Sequence, residues 1–201
     1  MFTGIIQAIG HIAAIDAQGG DRRLRVATGK LDLSATKIGD SIAVSGVCLT
    51  AVHLADDGFW ADVSVETLSC TTCADLQVGS AVNLEQALTP TTALGGHLVS
   101  GHVDGVGTVV GRHDDARSER FRIRAPDELA RYIAQKGSIC VDGVSLTVNA
   151  VDGDEFELNI VPHTLQATTL GEFVPGRRVN LEVDIIARYL ERLLESRMGE
   201  A

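Results

Sequence analysis

Aromatic side chains are scarce, at 4% of the 201 residues, with five Phe, two Tyr and one Trp. A core drawn from a chain that is 45% hydrophobic must then rest on Val, Ile, Leu and Thr, and those residue types favour strands. Positive charge is also short. Lys and Arg number 17 against 27 Asp and Glu, for a formal net charge of −10. Such a chain repels a phosphate backbone, which excludes nucleic acid as an expected partner. No apolar run approaches the roughly 18 residues that a membrane-spanning helix requires. The N-terminus, MFTGIIQAIGHIAAID, has no basic start and ends in Asp16, so it reads as a strand rather than a signal sequence. Together these point to a cytoplasmic protein with no membrane partner.

Cysteine is limited to Cys48, Cys70, Cys73 and Cys140. The C-x-x-C of Cys70 and Cys73 has no second Cys or His pair at zinc spacing and no βαβ setting for redox work. Two reduced thiols and no metal site are expected.

What the chain does have is a repeat. SIAVSGVCLT at 41–50 returns as SICVDGVSLT at 138–147, a spacing of 97 residues, with seven of ten positions identical. At the same spacing, 59–85 meets 156–182 with ten identities, ending in VNLE in both copies. A weaker match joins FTGIIQAIGHI at 2–12 to VSGHVDGVGTV at 99–109 through Gly4/Gly101 and Gly10/Gly107. A repeat of this length means two sister domains. Their expected spans are 1–96 and 97–184, with a linker around Pro90, Gly95 and Gly96 and a distinct tail at 185–201.

Each half alternates short apolar runs with turn signals such as KIGD, DDGF, QVGS and DGDE, as strands do. The expected fold is mainly β: two tandem six-stranded antiparallel Greek-key barrels, each with a short helix, and a C-terminal α-helix. Closure would remove the exposed edges that so small a sheet must otherwise manage. A helix is predicted over APDELARYIAQKG, with Pro126 at its first position and Gly137 closing it. The tail DIIARYLERLLESRM places Ile186, Tyr189, Leu190, Leu193 and Leu194 on one helical face, with Asp184 as a candidate cap. That stripe fits either docking on a barrel or self-association.

With the duplication in view, the chain resembles the riboflavin synthases. The carrying motifs are MFTGII, GVCLT at 46–50, ETL at 66–68, GGHLVSGHVDG at 95–105, DGVSLT at 142–147, PHTLQATTL at 162–170 and VNLEVD at 179–184 followed by a helix. The resemblance implies a transferase that dismutates two molecules of 6,7-dimethyl-8-ribityllumazine. One receives a four-carbon unit and becomes riboflavin, and the other leaves as 5-amino-6-ribitylamino-uracil. It implies no cofactor, a homotrimer held by C-terminal helices, and a site between the first barrel of one subunit and the second of its neighbour. Some relatives dock inside a lumazine synthase shell, so that enzyme joins the implied partners. The alternative on the same fold is a non-catalytic lumazine- or flavin-binding protein.

Carried over residue by residue, the implied substrate-binding positions in the first half are Gly4, Ile5, Ile6, Cys48, Leu49, Thr50, Asp62, Val63, Ser64, Val65, Glu66 and Thr67. In the second half they are Gly101, His102, Val103, Lys136, Ser145, Leu146, Thr147, Asn159, Ile160, Val161, Pro162, His163 and Thr164. The implied catalytic candidates are His102, Cys48, Ser145, Thr147, Asp142 and Asp184. Glycine at 4 and 101 would let the backbone approach a flat heterocycle. Thr50 and Thr147 offer hydroxyls to a pteridine edge, and Glu66 suits ribityl hydroxyls. His102 can orient substrate or move protons near neutral pH; His97 is read as structural. Holding two identical substrates together makes their encounter effectively intramolecular. The copies differ at Ile5/His102, Ser45/Asp142, Cys48/Ser145, Asp62/Asn159 and Glu66/His163. These mismatches are read as breaking the symmetry between donor and acceptor.

Overall fold

The computed structural model describes residues 1–198; residues 199–201, the end of the expected tail helix, lie outside the described residues. The first half contains β1 (Ala8–Gln18), β2 (Asp21–Ala27), β3 (Ser41–Val44), β4 (Val47–Ala55), β5 (Gly58–Val63) and β6 (Ala81–Gln86). Between β5 and β6 lie α1 (Val65–Cys70) and a 3-10 turn, Thr72–Asp75. The strands close in the order β1-β2-β5-β4-β3-β6, all antiparallel.

The second half repeats this with β7 (Gly105–Asp115), β8 (Ser118–Arg124), β9 (Ser138–Val141), β10 (Val144–Asp152), β11 (Glu155–Ile160) and β12 (Arg178–Val183). Here α3 (Pro162–Ala167) and the 3-10 turn Thr169–Glu172 follow β11. The barrel closes as β7-β8-β11-β10-β9-β12. Even the irregularities repeat. Register shifts fall at Ile12/Ala14 and Val109/Gly111, and at Ala51/His53 and Val148/Ala150. Bulges bend a strand and add twist, which is what a closed six-stranded sheet needs.

The helix predicted at 126–137 is a single turn, α2 (Asp127–Ala130), with Pro126 outside it. Beyond it the backbone bonds shorten to Tyr132 N–Leu129 O and Ile133 N–Ala130 O, because Leu129 and Ile133 both turn into the second barrel's core. The helices that flank the candidate surfaces lie instead in VETLSC and PHTLQA.

Each barrel has its own core: Ile12, Leu24, Val26, Phe59, Val82 and Leu84 in the first, and Val109, Phe121, Ile123, Phe156, Leu158 and Leu181 in the second. All five phenylalanines are buried. Four serve barrel cores, and Phe2 packs with Val99, Ala43 and Cys140 between the barrels. The halves meet about a local twofold axis. Phe2 and Val99, mates in the repeat, exchange backbone hydrogen bonds of 2.7 and 3.1 Å. Gly46 and Gly143 pack back to back: a Cβ on Gly46 would lie 2.7 Å from the Gly143 nitrogen, so any side chain would part the barrels.

The tail forms α4 (Ile185–Met198). Polar contacts hold it to the second barrel: Arg188 to the buried Asp104, Arg131 to Glu191 at 3.0 Å, and the Tyr132 hydroxyl to Glu191. Its apolar stripe is not spent on that docking, since Ile186, Tyr189, Leu190 and Leu194 stay exposed. Among the described residues, no helix is long and apolar enough to cross a membrane.

Candidate functional site

Two buried carboxylates organise the site. Glu85 and Glu182 end the paired VNLE motifs on β6 and β12. Glu85 accepts from Thr3 N (2.7 Å), Thr3 Oγ1 (2.6 Å) and Gly4 N (2.9 Å). Glu182 accepts from Ser100 N (2.6 Å), Ser100 Oγ (2.6 Å) and Gly101 N (2.9 Å). Burial pushes both carboxyls above their usual range, and the three donors to each hold that rise back. The effect is to pin the segments 3–6 and 100–103 that lead into the two barrels.

Those segments cross over. Ser145 N donates to Gly4 O at 2.8 Å, and Cys48 N donates to Gly101 O at 2.9 Å. Ile6 packs on the second core and Val103 on the first. The candidate substrate-binding segments therefore do not divide by halves of the chain: 3–6 lie against the second barrel and 100–103 against the first. One surface gathers Gly101, His102 and Val103 with Cys48, Leu49 and Thr50, beside Asp62–Thr67 at the end of β5 and the start of α1. The other gathers Gly4, Ile5 and Ile6 with Ser145, Leu146 and Thr147, beside Asn159–Thr164. Gly4 and Gly101 have a different use from the expected one. Both sit at positive φ (75° and 78°). A Cβ would lie 2.6 Å from Ser145 Cβ in one case and 2.7 Å from Cys48 Cβ in the other. Glycine admits the facing strand there, and the left-handed backbone favours it as well.

Side chains on both surfaces are open in the single chain: Ile5, Thr50, Glu66, His102, Lys136, Thr147 and His163 are exposed. Asp62 is held by Arg23 at 2.6 and 2.9 Å, which keeps its carboxyl below the usual range. Glu66 receives the Cys70 thiol at 3.3 Å. Cys73 is buried in the first core, and all four cysteines are free. Lys136 joins the second surface through its N–H to Val148 O at 2.8 Å. It adopts φ 66° where its repeat mate is Gly39 at φ 97°, a left-handed backbone that costs a non-glycine residue about 1–2 kcal/mol.

Two catalytic candidates lie apart from the surfaces. Asp142 sits in the β9–β10 turn at φ 44°, before Gly143, as Ser45 does at φ 45° before Gly46; both pairs suit a tight hairpin turn. Its Oδ1 accepts from Asn180 N at 2.7 Å. It faces a cleft of about 580 Å³ between the barrels, lined also by Ser45, Asp75, Arg177 and Arg178 and by none of the candidate substrate-binding positions. Burial pushes its carboxyl up to about 7, against the pull of the Asn180 N–H and Arg177. Asp184 accepts from Ile186 N at 3.0 Å and so caps α4.

The sequence reading left out two residues, Asn83 and Asn180, and gave a third only a structural role. Asn83 donates to Asp142 O (2.9 Å) and accepts from Thr169 N (2.8 Å). Asn180 donates to Ser45 O (2.8 Å) and accepts from Thr72 N (2.8 Å). Each barrel thus holds the turn that follows the other's site helix; the only signal was the asparagine repeated in VNLE. The third is His97. Its Nδ1 lies 2.6 Å from Ser145 Oγ. A Cβ on Gly96 would lie 2.2 Å from Thr3 O and 2.8 Å from Ser145 Oγ, so Gly96, taken as linker, is what lets the chain pass this close to Ser145. By contrast, no hydrogen bond reaches the Cys48 sulfur among the described residues.

Comparison with known proteins matches this architecture. The lumazine binding domain model matches twice, over residues 3–87 and 100–184. A riboflavin synthase of Photobacterium phosphoreum is 54% identical over 194 residues, covering 96% of this chain and 89% of its own. The riboflavin synthase of Mycobacterium tuberculosis is 46% identical over 200 residues, covering 98% and 99%. Among solved structures, LumP complexed with riboflavin superposes with a TM-score of 0.84 and LumP complexed with 6,7-dimethyl-8-(1'-D-ribityl) lumazine with 0.82. Both are 28% identical and cover 91% of this chain and 99% of theirs. With two lumazine-binding domains in tandem and near full-length identity to enzymes of that name, the chain belongs to the riboflavin synthase family.

Proposed function

We propose that the protein is a riboflavin synthase. As a transferase it moves a four-carbon unit between two molecules of 6,7-dimethyl-8-ribityllumazine and releases riboflavin and 5-amino-6-ribitylamino-uracil. The observation that carries this reading is the pair of twofold-related surfaces, each with its polar residues retained. A protein that only stored one ligand would need one such surface. Two equivalent surfaces suit a reaction whose two substrates are the same molecule, and holding both supplies proximity and orientation.

On this reading the backbone of the segments pinned by Glu85 and Glu182 and the hydroxyls of Thr50 and Thr147 meet the two heterocycles. Glu66 and His163 meet ribityl chains. His102 moves protons on the first surface, where Cys48 faces the same ligand. Asp142 and Asp184 act on backbone, in a turn and at a helix start. The exposure of both surfaces in one chain supports completion by a second chain, with the first surface of one subunit facing the second surface of its neighbour. The exposed stripe of α4 supports a homotrimer joined through that helix. The cytoplasm and association with lumazine synthase complete the proposal.

The test is incubation of the purified protein with the lumazine and no added cofactor. Riboflavin should appear at one molecule per two lumazines consumed, with the uracil as co-product. The likeness to LumP favours a second reading, ligand storage on the same fold. A stable lumazine complex without turnover would establish that reading and overturn the first.

A further inference from the structure

We propose that His97 is a positioning residue: it donates its Nδ1–H to Ser145 Oγ and so aims the serine's own proton at the bound ligand. This rests on the second surface being a ligand surface, as proposed above. At 2.6 Å either atom could be the donor, and the rest of the ring decides. His97 Nε2 is buried with no hydrogen-bond partner among the described residues. If Nε2 carried the proton, a buried N–H would go unsatisfied, which is costlier and rarer than a bare acceptor. The proton therefore belongs on Nδ1. Burial also holds the imidazole below its ordinary pKa, outweighing the opposing pull of Asp184, so the ring stays neutral and keeps one proton.

The backbone leaves little room for another arrangement. His97 N donates to Thr3 O at 3.1 Å and Ser145 N to Gly4 O at 2.8 Å. Both residues are thus tied to the segment that Glu85 pins. Ser145 Oγ has no other hydrogen-bond partner among the described residues, which leaves its O–H free for a ligand acceptor, a carbonyl oxygen or a ring nitrogen. The arrangement also argues against Ser145 as a nucleophile activated by His97, since a base would need the Nδ1 lone pair. The two ligands then meet different groups: an aimed hydroxyl donor at Ser145 and a thiol at Cys48 with no hydrogen-bond partner among the described residues.

The tautomer can be read without turnover, from ring ¹⁵N shifts of His97 in the labelled full-length protein, assigned against His97→Asn. Protonated Nδ1 and bare Nε2 are expected; protonated Nε2 overturns the proposal. Kinetics supply the second arm. An asparagine amide sits where Nδ1 was, and a glutamine amide sits where Nε2 was. His97→Asn should keep kcat within about threefold of wild type, while His97→Gln and His97→Leu should lose about 10- to 100-fold, the effect of a misdirected hydrogen bond. Ser145→Ala should lose as much, and His97→Leu added to it should cost nothing further. A folded His97→Asn as slow as His97→Leu overturns the proposal. A wild-type protein that makes no riboflavin would sink the functional reading and leave the tautomer result standing.

Discussion

Replacing Asp142 by asparagine should make the protein more stable at pH 8 and remove most of a pH dependence between 5 and 8. The carboxyl is buried, accepts one hydrogen bond from Asn180 N at 2.7 Å, and titrates near 7 instead of the ordinary 3.8. The folded chain therefore keeps a proton on Asp142 at pH values where the unfolded chain has lost it. The sign follows. The stabilising contribution of this group is fully present below 3.8 and is lost as pH rises through about 7. Each tenfold difference in proton affinity is worth about 1.4 kcal/mol, so the whole difference is about 4 kcal/mol. Of that, about 2–3 kcal/mol falls between pH 5 and 8, a large part of the stability of a typical domain.

Asparagine is matched in shape and keeps an oxygen for the Asn180 N–H. It also tolerates the left-handed backbone at φ 44° better than most residues. It carries no charge to desolvate. The assay is urea unfolding of both proteins at pH 5, 6, 7 and 8, at one protein concentration. Histidines and the other carboxylates titrate alike in the two and cancel in the difference. The gap should widen in favour of Asp142→Asn with rising pH. Parallel curves from pH 5 to 8 would refute the reasoning, and a gap widening toward acid would reverse its sign.

The paired glutamate should be harder to replace. In Glu182→Gln the amide must turn its NH₂ toward Ser100 or Gly101, setting donor against donor in a buried place. A loss of about 1–3 kcal/mol is expected, with a raised KM for the lumazine because His102 and Val103 follow directly; unchanged Tm and KM would show that the carboxylate does not set the segment. Lys136→Gly should do the opposite to stability. Relief of the strain at φ 66° outweighs the added freedom of the unfolded chain by about 0.5 kcal/mol, a rise of about 1–2 °C in Tm. Lumazine affinity should fall at the same time, and a lower Tm with unchanged affinity would deny the lysine its role.

Much of the fold was legible because a duplicated chain states its grammar twice. The spacing of 97 residues located matching strands, turns and glycines, and the closed barrels followed from alternation. What sequence could not show is where the two copies touch. Gly4 and Gly101 looked like room for a ligand, yet each faces the strand of the other half, through single hydrogen bonds to Ser145 N and Cys48 N. Nothing in a linear pattern distinguishes a segment that packs on its own barrel from one that crosses to its sister. The site helices were hidden for a related reason. VETLSC and PHTLQA are six-residue helices with no buried residue, so they lack the apolar stripe by which a helix is recognised.

His97, read from the sequence as structural, stands outside both barrels, in the stretch that joins them. That position gives it a use no barrel residue could have. Duplication makes the two proposed ligand surfaces alike, and a reaction between two identical molecules needs them to differ. Most scaffold positions cannot change without cost: Gly46 and Gly143 share one contact, while Asn83 holds Asp142 O and Asn180 holds Ser45 O in the opposite barrel. A side chain reaching in from the linker escapes that constraint. The His97 ring bonds to Ser145 Oγ on the second surface and its backbone N–H to Thr3 O, so it changes the proton arrangement of one surface and leaves both barrels as they were. The exchange of Cys48 for Ser145 then gains its meaning from the linker: a thiol with no partner on one side, a hydroxyl with its direction set on the other.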